Sequence, residues 1–392
     1  MSIPRVSQSP TDPAFVQNPY PFYARVLAEG GVVWWEDYNM PAFAKFSHIS
    51  ALLRDRRFGR ANPTPLPSVP HLQPFTDFEA LSLLEREPPD HTRLRGLVNR
   101  AFLSRHITSL APKIDAIAMR LIDGFEGPSV DLIPTYCEPL PAMVIASFLG
   151  VGQEAVADLL RWSHAMVAMY QFNRDQGVEV RAATATTEFS GFLLDLIRQR
   201  RGAPADDLLS LLIAAEVDDA RLSDEEIVAT AILILNAGHE ASSHAIGNGI
   251  RTILMTGAAD KVRDPANSLA DEILRHDPPL HLFTRYAQQD MSIHGLPLAR
   301  GDKIALLLGA AGRDPGRHEE PGLFDPDRPD PAHLAFGAGV HFCVGAPLAR
   351  LEIDIALRSL FSSLPQLQLD DTPTYADRYH FHGLEALRVR WD

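Results

Sequence analysis

The sequence is poor in cysteine, in positive charge and in long apolar runs, and each shortage excludes a class of protein. Two cysteines in 392 residues are too few for a fold stapled by disulfides. Carboxylates outnumber Lys and Arg by 50 to 36, and the net charge of −14 argues against nucleic acid as a partner. No apolar run reaches the roughly 18 residues that cross a bilayer. The N-terminus also lacks the apolar core of a signal peptide.

The remaining composition is that of an ordinary globular protein. Hydrophobic residues make up 46% of the chain and charged residues 22%. The length allows one large domain or two to three average ones. The sequence contains no internal repeat, low-complexity segment or interdomain linker. The sequence therefore shows no boundary between domains.

Residues 335–350, Ala-Phe-Gly-Ala-Gly-Val-His-Phe-Cys-Val-Gly-Ala-Pro-Leu-Ala-Arg, place Cys343 among glycines and just before an amphipathic run. Backbone N–H groups and the dipole at the start of a helix stabilise a thiolate. The glycines permit tight turns and leave space beside the sulfur for a large, flat group. A soft, anionic sulfur at an open face is a good ligand for haem iron. The alternatives are a buried structural cysteine or a nucleophile with His341 as its base; Phe342 breaks the pattern of a glycine-rich phosphate loop.

The whole pattern around Cys343 resembles the haem-binding signature of the cytochrome P450 superfamily. The residues that carry this resemblance are Phe336, Gly337, Gly339, His341, Cys343 and Gly345. The resemblance implies a mainly α fold with small β-sheets, with haem b between a long central helix and the Cys343 loop. It also implies that residues 1–392 form a single domain without a fused partner domain, and that the Cys343 thiolate is the axial iron ligand. The implied reaction inserts one oxygen atom from O₂ into a mainly apolar small organic substrate.

A long helix is predicted from the capping box Ser223-Asp-Glu-Glu226 to about Met255. At about 1.5 Å per residue it would be nearly 50 Å long and cross the domain. Its middle, 227–237, is apolar almost all round and should be buried. Gly238 costs about 1 kcal/mol relative to alanine in a helix, so we expect a ligand to approach the backbone there.

Residues 237–242, Ala-Gly-His-Glu-Ala-Ser, resemble the oxygen-binding groove of the same superfamily. The family places an acid and then a threonine over the haem; the acid relays protons and the hydroxyl stabilises bound oxygen. Glu240 matches the acid, but Ala241 occupies the threonine position. Ser242 lies about 100° further round the helix and does not simply replace the hydroxyl. We therefore hypothesise that a water molecule or a substrate hydroxyl supplies the missing hydrogen bond.

Haem has two carboxylates, and their burial requires charge-assisted donors. The stretch Pro88-Pro-Asp-His-Thr-Arg-Leu-Arg95 resembles the superfamily's propionate-binding helix, with His91 and Arg95 on one face. Arg285 and His341 match the further propionate donors of the family.

Glu272 and Arg275 lie three residues apart, where the superfamily has its structural Glu-x-x-Arg motif, and Arg328 matches the third member of that buried network. Breaking this network would leave a buried charge without a partner. We expect its loss to impair haem incorporation rather than to alter the reaction.

Substrate contacts are predicted from the elements that surround the pocket in relatives. The proline-rich segment 61–75 is interpreted as a pocket lid or a solvent loop, and helices over 153–172 and 178–200 as the roof. The pocket candidates are Phe75, Phe78, Met169, Leu233, Ala237, Leu280, Leu282, Phe283 and Phe381. Further helices are expected over 47–55, 108–125 and 138–150, and strands over 32–35, 42–46, 291–297, 303–308 and 386–391.

Electrons must come from a separate ferredoxin or flavodoxin with its reductase, because the sequence contains no flavin or nicotinamide domain. Its acidic surface would dock on a basic patch formed by Arg93, Arg100, Arg105 and Arg350. Membrane-bound relatives carry an N-terminal anchor, so its absence predicts a cytoplasmic protein of the bacterial type.

Two alternatives stay open. Ala241 leaves room for a peroxide-driven or rearranging haem-thiolate enzyme. A non-catalytic haem protein that binds a ligand is the other.

Overall fold

The computed structural model describes residues 3–64, 69–102, 104–172, 174–217, 220–264 and 268–391, and these are mainly helical. The α-helices are α1 (Pro13–Gln17), α2 (Tyr20–Ala28), α3 (Phe46–Leu52), α4 (Gln73–Leu81), α5 (Asp90–Ala101), α6 (Ser104–Thr108), α7 (Ala111–Asp123), α8 (Pro139–Leu149), α9 (Val156–Val167), α10 (Gln176–Gly202), α11 (Leu208–Ala214), α12 (Asp224–Thr256), α13 (Ala259–Arg263), α14 (Ala270–His276), α15 (Leu308–Ala311) and α16 (Ala346–Ser363). The strands are β1 (Arg5–Val6), β2 (Val32–Trp35), β3 (Met40–Phe43), β4 (Phe58–Gly59), β5 (Ser129–Asp131), β6 (Glu216–Val217), β7 (Ala220–Arg221), β8 (Leu282–Ala287), β9 (Met291–Ile293), β10 (Leu296–Leu298), β11 (Lys303–Leu307), β12 (Gln368–Leu369) and β13 (Arg388–Arg390).

Helix α12 is the axis of the helical core. It is 33 residues long and packs against α8, α9, α10, α14 and α16. The predicted capping box is present, because the Ser223 hydroxyl accepts from Glu226 N and the Glu226 carboxylate accepts from Ser223 N. Gly257 ends the helix in the left-handed conformation, with φ of 71°. Most side chains of α12 are buried, as its apolar middle predicts.

The β component forms small sheets at the side of the helical core. The largest has the order β1-β2-β3-β11-β8-β4, and β11 pairs parallel with β3, where Ala305 lies opposite Ala42. A second sheet has the order β12-β13-β5, and two hairpins complete the set. The predicted fold class, mainly α with small sheets, is confirmed.

The proline-rich segment differs from its prediction at its C-terminal end. Residues 65–68 of the proposed lid lie outside the described residues. A 3₁₀ turn occupies Pro70–Leu72, and α4 starts at Gln73. The prolines at 70 and 74 both lie in the first turn of a helix, where a missing N–H costs nothing.

No helix in the part of the chain that the structure describes combines the length and the hydropathy needed to cross a membrane.

A buried ion cluster joins α14 to the loop before the Cys343 segment. Arg275 is fully buried and forms a bidentate pair with Glu272, with N···O distances of 2.6 and 2.7 Å. Its remaining N–H groups donate to the carbonyl oxygens of Gly312, Pro321 and Leu323. Arg328 Nε lies 3.3 Å from Glu272 Oε2. This arrangement satisfies two buried guanidinium groups with one carboxylate and several backbone carbonyls.

Replacement of Glu272 by Gln should lower the free energy of unfolding by about 3–5 kcal/mol, because it leaves Arg275 buried without its counter-charge. The free energy of unfolding, measured in urea, and the haem content report the effect, and both should fall. The matched control is Arg5→Ala, which breaks an exposed ion pair with Glu36 and should change neither. Unchanged stability of Glu272→Gln would show that the cluster does not hold this loop.

Candidate active site

One stripe of helix α12 is incompletely covered by the described residues. Leu233 and Ala241 are partly exposed and Ala237 is exposed, although this helix runs through the core. The three positions are four residues apart, so they lie on one face. An apolar face at the centre of a core is normally filled, because interiors are close-packed. The stripe therefore borders an internal space that a non-protein group can occupy.

Gly238 lies beside this stripe, and its role differs from the prediction. A Cβ atom at this position would lie 2.6 Å from Ile145 Cδ1 on α8. The close approach to the backbone is thus made by a neighbouring helix. Glycine is needed there for the packing of α8 against α12.

Cys343 lies two residues before the Gly345 N-cap of α16, in a tight loop. Its backbone N–H donates to Phe336 O at 3.0 Å, which closes the loop on itself. Gly337 and Gly339 have φ of 68° and 72°, a region that other residues rarely adopt. At Gly339 a Cβ would also collide with Leu53 O, at 2.3 Å.

The electrostatics around the sulfur combine two opposing effects. Burial raises the pKa of Cys343, while the backbone N–H groups of Gly345 and Ala346 and the charges of Arg95 and Arg350 lower it. N–H groups that point at a sulfur favour its thiolate form. Gly345 has no side chain, and a Cβ there would make only ordinary contact with Sγ, at 3.9 Å. The predicted helix-start environment of Cys343 is therefore present.

Four basic side chains lie near the loop, and the described residues offer them few carboxylates. The rings of His91 and His341 are 4.4 Å apart. His341 Nε2 lies 3.3 Å from Glu87 Oε2, whereas Arg95 donates to Asn99 and Arg285 to the carbonyl oxygen of Thr284.

Burial lowers the pKa of two members of this cluster. For Arg285 the pKa falls to about 9, with a smaller contribution from the charge of Arg60. For His91 it falls to about 4, where the charges of His341 and Arg95 add to the effect of burial.

These basic residues fit a haem. His91 Nε2 is buried and has no hydrogen-bond partner among the described residues. Arg285 is buried and forms no ion pair with a described carboxylate. Such groups call for an anionic acceptor, and two propionates supply it. The donor set, the cysteine and the uncovered stripe on α12 are together what a bound haem requires.

Glu240 is surrounded by basic groups. His244 Nε2, His164 Nε2 and His239 Nδ1 lie 3.5, 3.7 and 3.8 Å from its carboxylate oxygens, and Arg378 donates to it at 3.4 Å. Burial would raise the pKa of Glu240, but hydrogen bonding by His244 and the charges of the three histidines outweigh it and lower the pKa to about 2. Glu240 is therefore ionised at neutral pH. The motif around Glu240 predicts an acid at this position, but it does not reveal the partners of Glu240 on α9 and in the C-terminal segment.

Glu352 on α16 is a functional candidate that the sequence reasoning missed. It is 1% exposed, and its Oε1 has no partner among the described residues. Burial raises its pKa to about 8, and the hydroxyl of Ser242 partly offsets this shift. Ser242 thus faces α16, away from the uncovered stripe. The sequence does show a carboxyl in the helix that follows Cys343. Only the fold reveals that this carboxyl is buried beside Ser242.

A cavity of about 590 Å³ opens beside Glu240. Met169, Leu282 and Phe381 line it, in agreement with their prediction as pocket residues, and so does His164. Its aromatic lining residues are Tyr38, Tyr170, Phe172, Tyr379 and Phe381. Its charged lining residues are Arg174, Glu240, Lys303, Asp377 and Arg378.

The other predicted pocket residues have different environments. Phe75 and Phe78 are buried in the main apolar core on α4, where their rings pack 5.9 Å apart, and neither lines this cavity. α4 turns both rings inward, and their contact with a ligand stays a prediction. Leu280 forms a β-bridge with Phe381, and Phe283 packs against Gly337 of the Cys343 loop.

Comparison with known proteins agrees with this geometry. Residues 266–374 match the sequence profile of the family described as Cytochrome P450. The chain is 36% identical to cytochrome P450 monooxygenase PikC of Streptomyces venezuelae, over 96% of this chain and 92% of the relative. It is also 36% identical to 6-deoxyerythronolide B hydroxylase of Saccharopolyspora erythraea, over 81% and 79%. The crystal structure of P450BioI with an acyl carrier protein has a TM-score of 0.90, 30% identity, and coverage of 97% and 100%.

Proposed function

The chain belongs to the cytochrome P450 family and is a haem-thiolate monooxygenase with Cys343 as axial ligand, and we propose that its substrate binds between the uncovered stripe of α12 and the cavity beside Glu240. The observation that carries this proposal is the stripe of Leu233, Ala237 and Ala241, left open in the middle of a buried helix. We also propose that residues 1–392 act as one haem domain, because α12 packs against elements from α8 to α16.

The haem would be held from its edge by His91, Arg95, Arg285 and His341, which donate hydrogen bonds to its carboxylates. Phe336 and Gly337 would lie beside it in the Cys343 loop, and the backbone N–H of Gly345 would favour the thiolate form of Cys343. When bound, haem activates O₂ with two electrons and two protons, so that one oxygen atom enters the substrate and the other leaves as water. The protein's own part is to anchor the cofactor, to orient the substrate and to move protons.

The substrate that fits best has a mainly apolar body. The cavity is of the size that takes drug-sized molecules. Its aromatic residues provide apolar contact area, and its charged residues would orient an oxygen-bearing group on the substrate. Two relatives are hydroxylases by name, 6-deoxyerythronolide B hydroxylase and vitamin D(3) 25-hydroxylase of Pseudonocardia autotrophica, each at 36% identity. Hydroxylation of a substrate of this kind is the reaction we propose.

A larger side chain at Ala237 tests the position of the substrate. Ala237→Phe should fill the space beside the stripe, so substrate-induced shifts of the haem spin state should weaken and product formation should fall at least about tenfold. The Soret band of the haem should be retained. The control is Ala14→Phe on α1, where the side chain is exposed and no effect is expected. Full substrate binding in Ala237→Phe would place the substrate elsewhere.

An ionised Glu240 can relay protons, but it holds none at rest, so the resting proton donor is a second group. A carboxylate that binds a proton only near pH 2 carries none at neutral pH, whereas Glu352, with a pKa of about 8, holds a proton. We propose that Glu352 and Ser242 hold this proton on the side of α12 that faces α16, and that water carries it round the turn at Ala241 to the oxygen site. Glu240 would orient water in the cavity, with His164 on its solvent side. A water or a substrate hydroxyl then takes the place of the missing threonine hydroxyl.

Replacement of Glu352 should change how the fraction of oxygen that enters product depends on pH. In the wild type the fraction of oxygen that enters product should fall as the pH rises through about 8, because Glu352 loses its proton. Glu352→Gln should lower coupling about tenfold, release more peroxide and abolish this pH dependence. Substrate binding should not change. A wild-type pH profile that persists in Glu352→Gln would exclude Glu352 as the donor.

The raised pKa of Glu352 also makes the stability of the folded protein depend on pH. The pKa of Glu352 is higher in the folded chain, at about 8, than its ordinary value of 4.5. Between these values the folded state binds the proton and the unfolded state does not. Stability from this group is therefore present below pH 4.5 and is lost as the pH rises through 8.

Electron donation would use the surface beside the Cys343 loop, and the residues differ from the predicted basic patch. Arg93 forms an ion pair with Glu226, and Arg350 with Asp271, so both charges are already partly neutralised. Arg54 and Arg56 are exposed at the end of α3. The Arg54 backbone adjoins Gly339, and both arginines share a groove with exposed Val340.

We propose a ferredoxin-docking surface made of Arg54, Arg56, Val340 and Phe342. Its two apolar side chains are 39% and 40% exposed, and the ion pairs seen in the described residues involve neither arginine. An acidic electron donor would pair with the arginines and cover the apolar residues. Arg100 and Arg105 are exposed and would extend the basic surface.

Charge reversal tests this docking surface. The double variant with Arg54→Glu and Arg56→Glu should be reduced by ferredoxin at least about tenfold more slowly at low salt, and the difference should shrink at high salt. Reduction by dithionite should be unaffected. Arg198→Glu, which reverses an exposed charge on α10, is the control. Equal rates for the double variant and the wild type would exclude this surface.

A further inference from the structure

A second group of potential metal ligands lies in the interior, apart from the residues assigned to haem. Asp277 follows α14, His281 precedes β8 and His382 belongs to the C-terminal segment. They are 2%, 0% and 1% exposed. Their ligand atoms all lie within 4.8 Å of one another. Asp277 Oδ1 is 3.9 Å from His281 Nε2 and 3.6 Å from His382 Nε2.

One of the four imidazole nitrogens of this group, His281 Nδ1, is hydrogen-bonded, to Tyr23 OH. His281 Nε2 and both ring nitrogens of His382 are buried without a hydrogen-bond partner among the described residues. Buried polar atoms nearly always have a partner, so three such atoms in one place need an explanation. A ligand between them would satisfy the two Nε2 atoms together.

The charge of the group is not paired directly, since Arg251 and Arg313 lie over the rings of Tyr375 and Tyr20 and act on the two histidines from there. The Asp277 carboxylate accepts hydrogen bonds from Tyr20 at 2.6 Å and from Tyr375 at 2.5 Å. Within the described ranges its ion-pair contacts are with His281 and His382 only, and no Lys or Arg pairs with it. Burial lowers the pKa of His382 to about 3 and that of His281 well below its usual value. A buried carboxylate thus lies beside two neutral imidazoles.

A second layer of hydrogen bonds orients the histidines. Tyr23 OH lies 2.7 Å from His281 Nδ1 and 2.9 Å from Tyr379 OH. If Tyr23 donates to Tyr379, its oxygen accepts from His281 Nδ1–H, and the lone pair of Nε2 faces Asp277. Ligating histidines in metal sites are commonly held in this way. The ring of His382 is stacked on Tyr375, with centroids 3.7 Å apart.

We propose that Asp277, His281 and His382 bind one Zn²⁺ ion, with Tyr23 as a positioning residue. Imidazole and carboxylate donors suit zinc, whereas magnesium and calcium prefer oxygen donors only. Tetrahedral zinc with bonds of about 2.0–2.2 Å needs donor atoms about 3.4 Å apart. The separations of 3.9 and 3.6 Å from Asp277 to the two histidines would shrink by a few tenths of an ångström, and the two imidazoles, whose ligand atoms lie within 4.8 Å, would move together on binding. A water molecule would complete the coordination. The ion enters during folding, because the closed site is fully buried, and it ties α14 to the C-terminal segment.

The zinc content of the haem-loaded protein tests this site. Wild-type protein produced with added zinc and dialysed against a chelator should retain one zinc ion per chain, measured by mass spectrometry of the metal. Crystals should show an anomalous peak between the three side chains above the zinc edge and none below it. Substoichiometric zinc with an ordered water at that position would overturn the proposal. The reduced-CO spectrum of the same sample reports haem ligation independently.

Variants separate this site from zinc bound elsewhere. His382→Gln and Asp277→Asn should lose the zinc, while His380→Gln, which alters a neighbouring histidine outside the cluster, should keep it. Tyr23→Phe should retain zinc but release it at least about tenfold faster to a chelator. Retention of zinc by both ligand variants would refute the assignment. Should these variants fail to fold, the anomalous peak of the wild type decides the question alone.

Discussion

The uncovered stripe on α12 is the constraint on which the rest of the structure depends. A helix of 33 residues through the core must pack on all sides, yet the described residues leave Ala237 exposed and Leu233 and Ala241 only partly covered. Such a gap in a close-packed interior is costly unless a ligand occupies it. The Cys343 loop, the basic cluster and the cavity beside Glu240 are arranged around that occupant. The buried pair of Glu272 and Arg275 holds the loop that leads to the cysteine.

The features that sequence predicted well are those encoded in neighbouring residues. The capping box at Ser223 and Glu226 specified the start of α12, because it is a contact between residues three apart. The glycines of the Cys343 loop specified positive φ at Gly337 and Gly339. The apolar middle of α12 indicated burial. These signals, in register with a family pattern, were sufficient for the fold class and the iron ligand.

The features that sequence missed depend on contacts between distant segments. Nothing near Gly238 indicates that Ile145, on another helix, makes the close approach. Phe75 and Phe78 lie in the main apolar core because of the direction of α4, and the neighbouring sequence does not specify that direction. Glu352 gains its raised pKa from burial against α12, more than a hundred residues away. The ion pairs of Arg93 with Glu226 and of Arg350 with Asp271 were likewise not predicted, because these partners lie far along the chain.

Ligation of the iron by the Cys343 thiolate is the central claim, and the spectrum of the reduced protein with CO tests it most directly. The account predicts a strongly red-shifted Soret band for the wild type and for Cys137→Ser, whose cysteine is buried far along the chain from the loop. Cys343→Ser should lose that band, either through altered ligation or through loss of haem. A wild-type protein without the red-shifted band, or a Cys343→Ser variant that keeps it, would contradict the account.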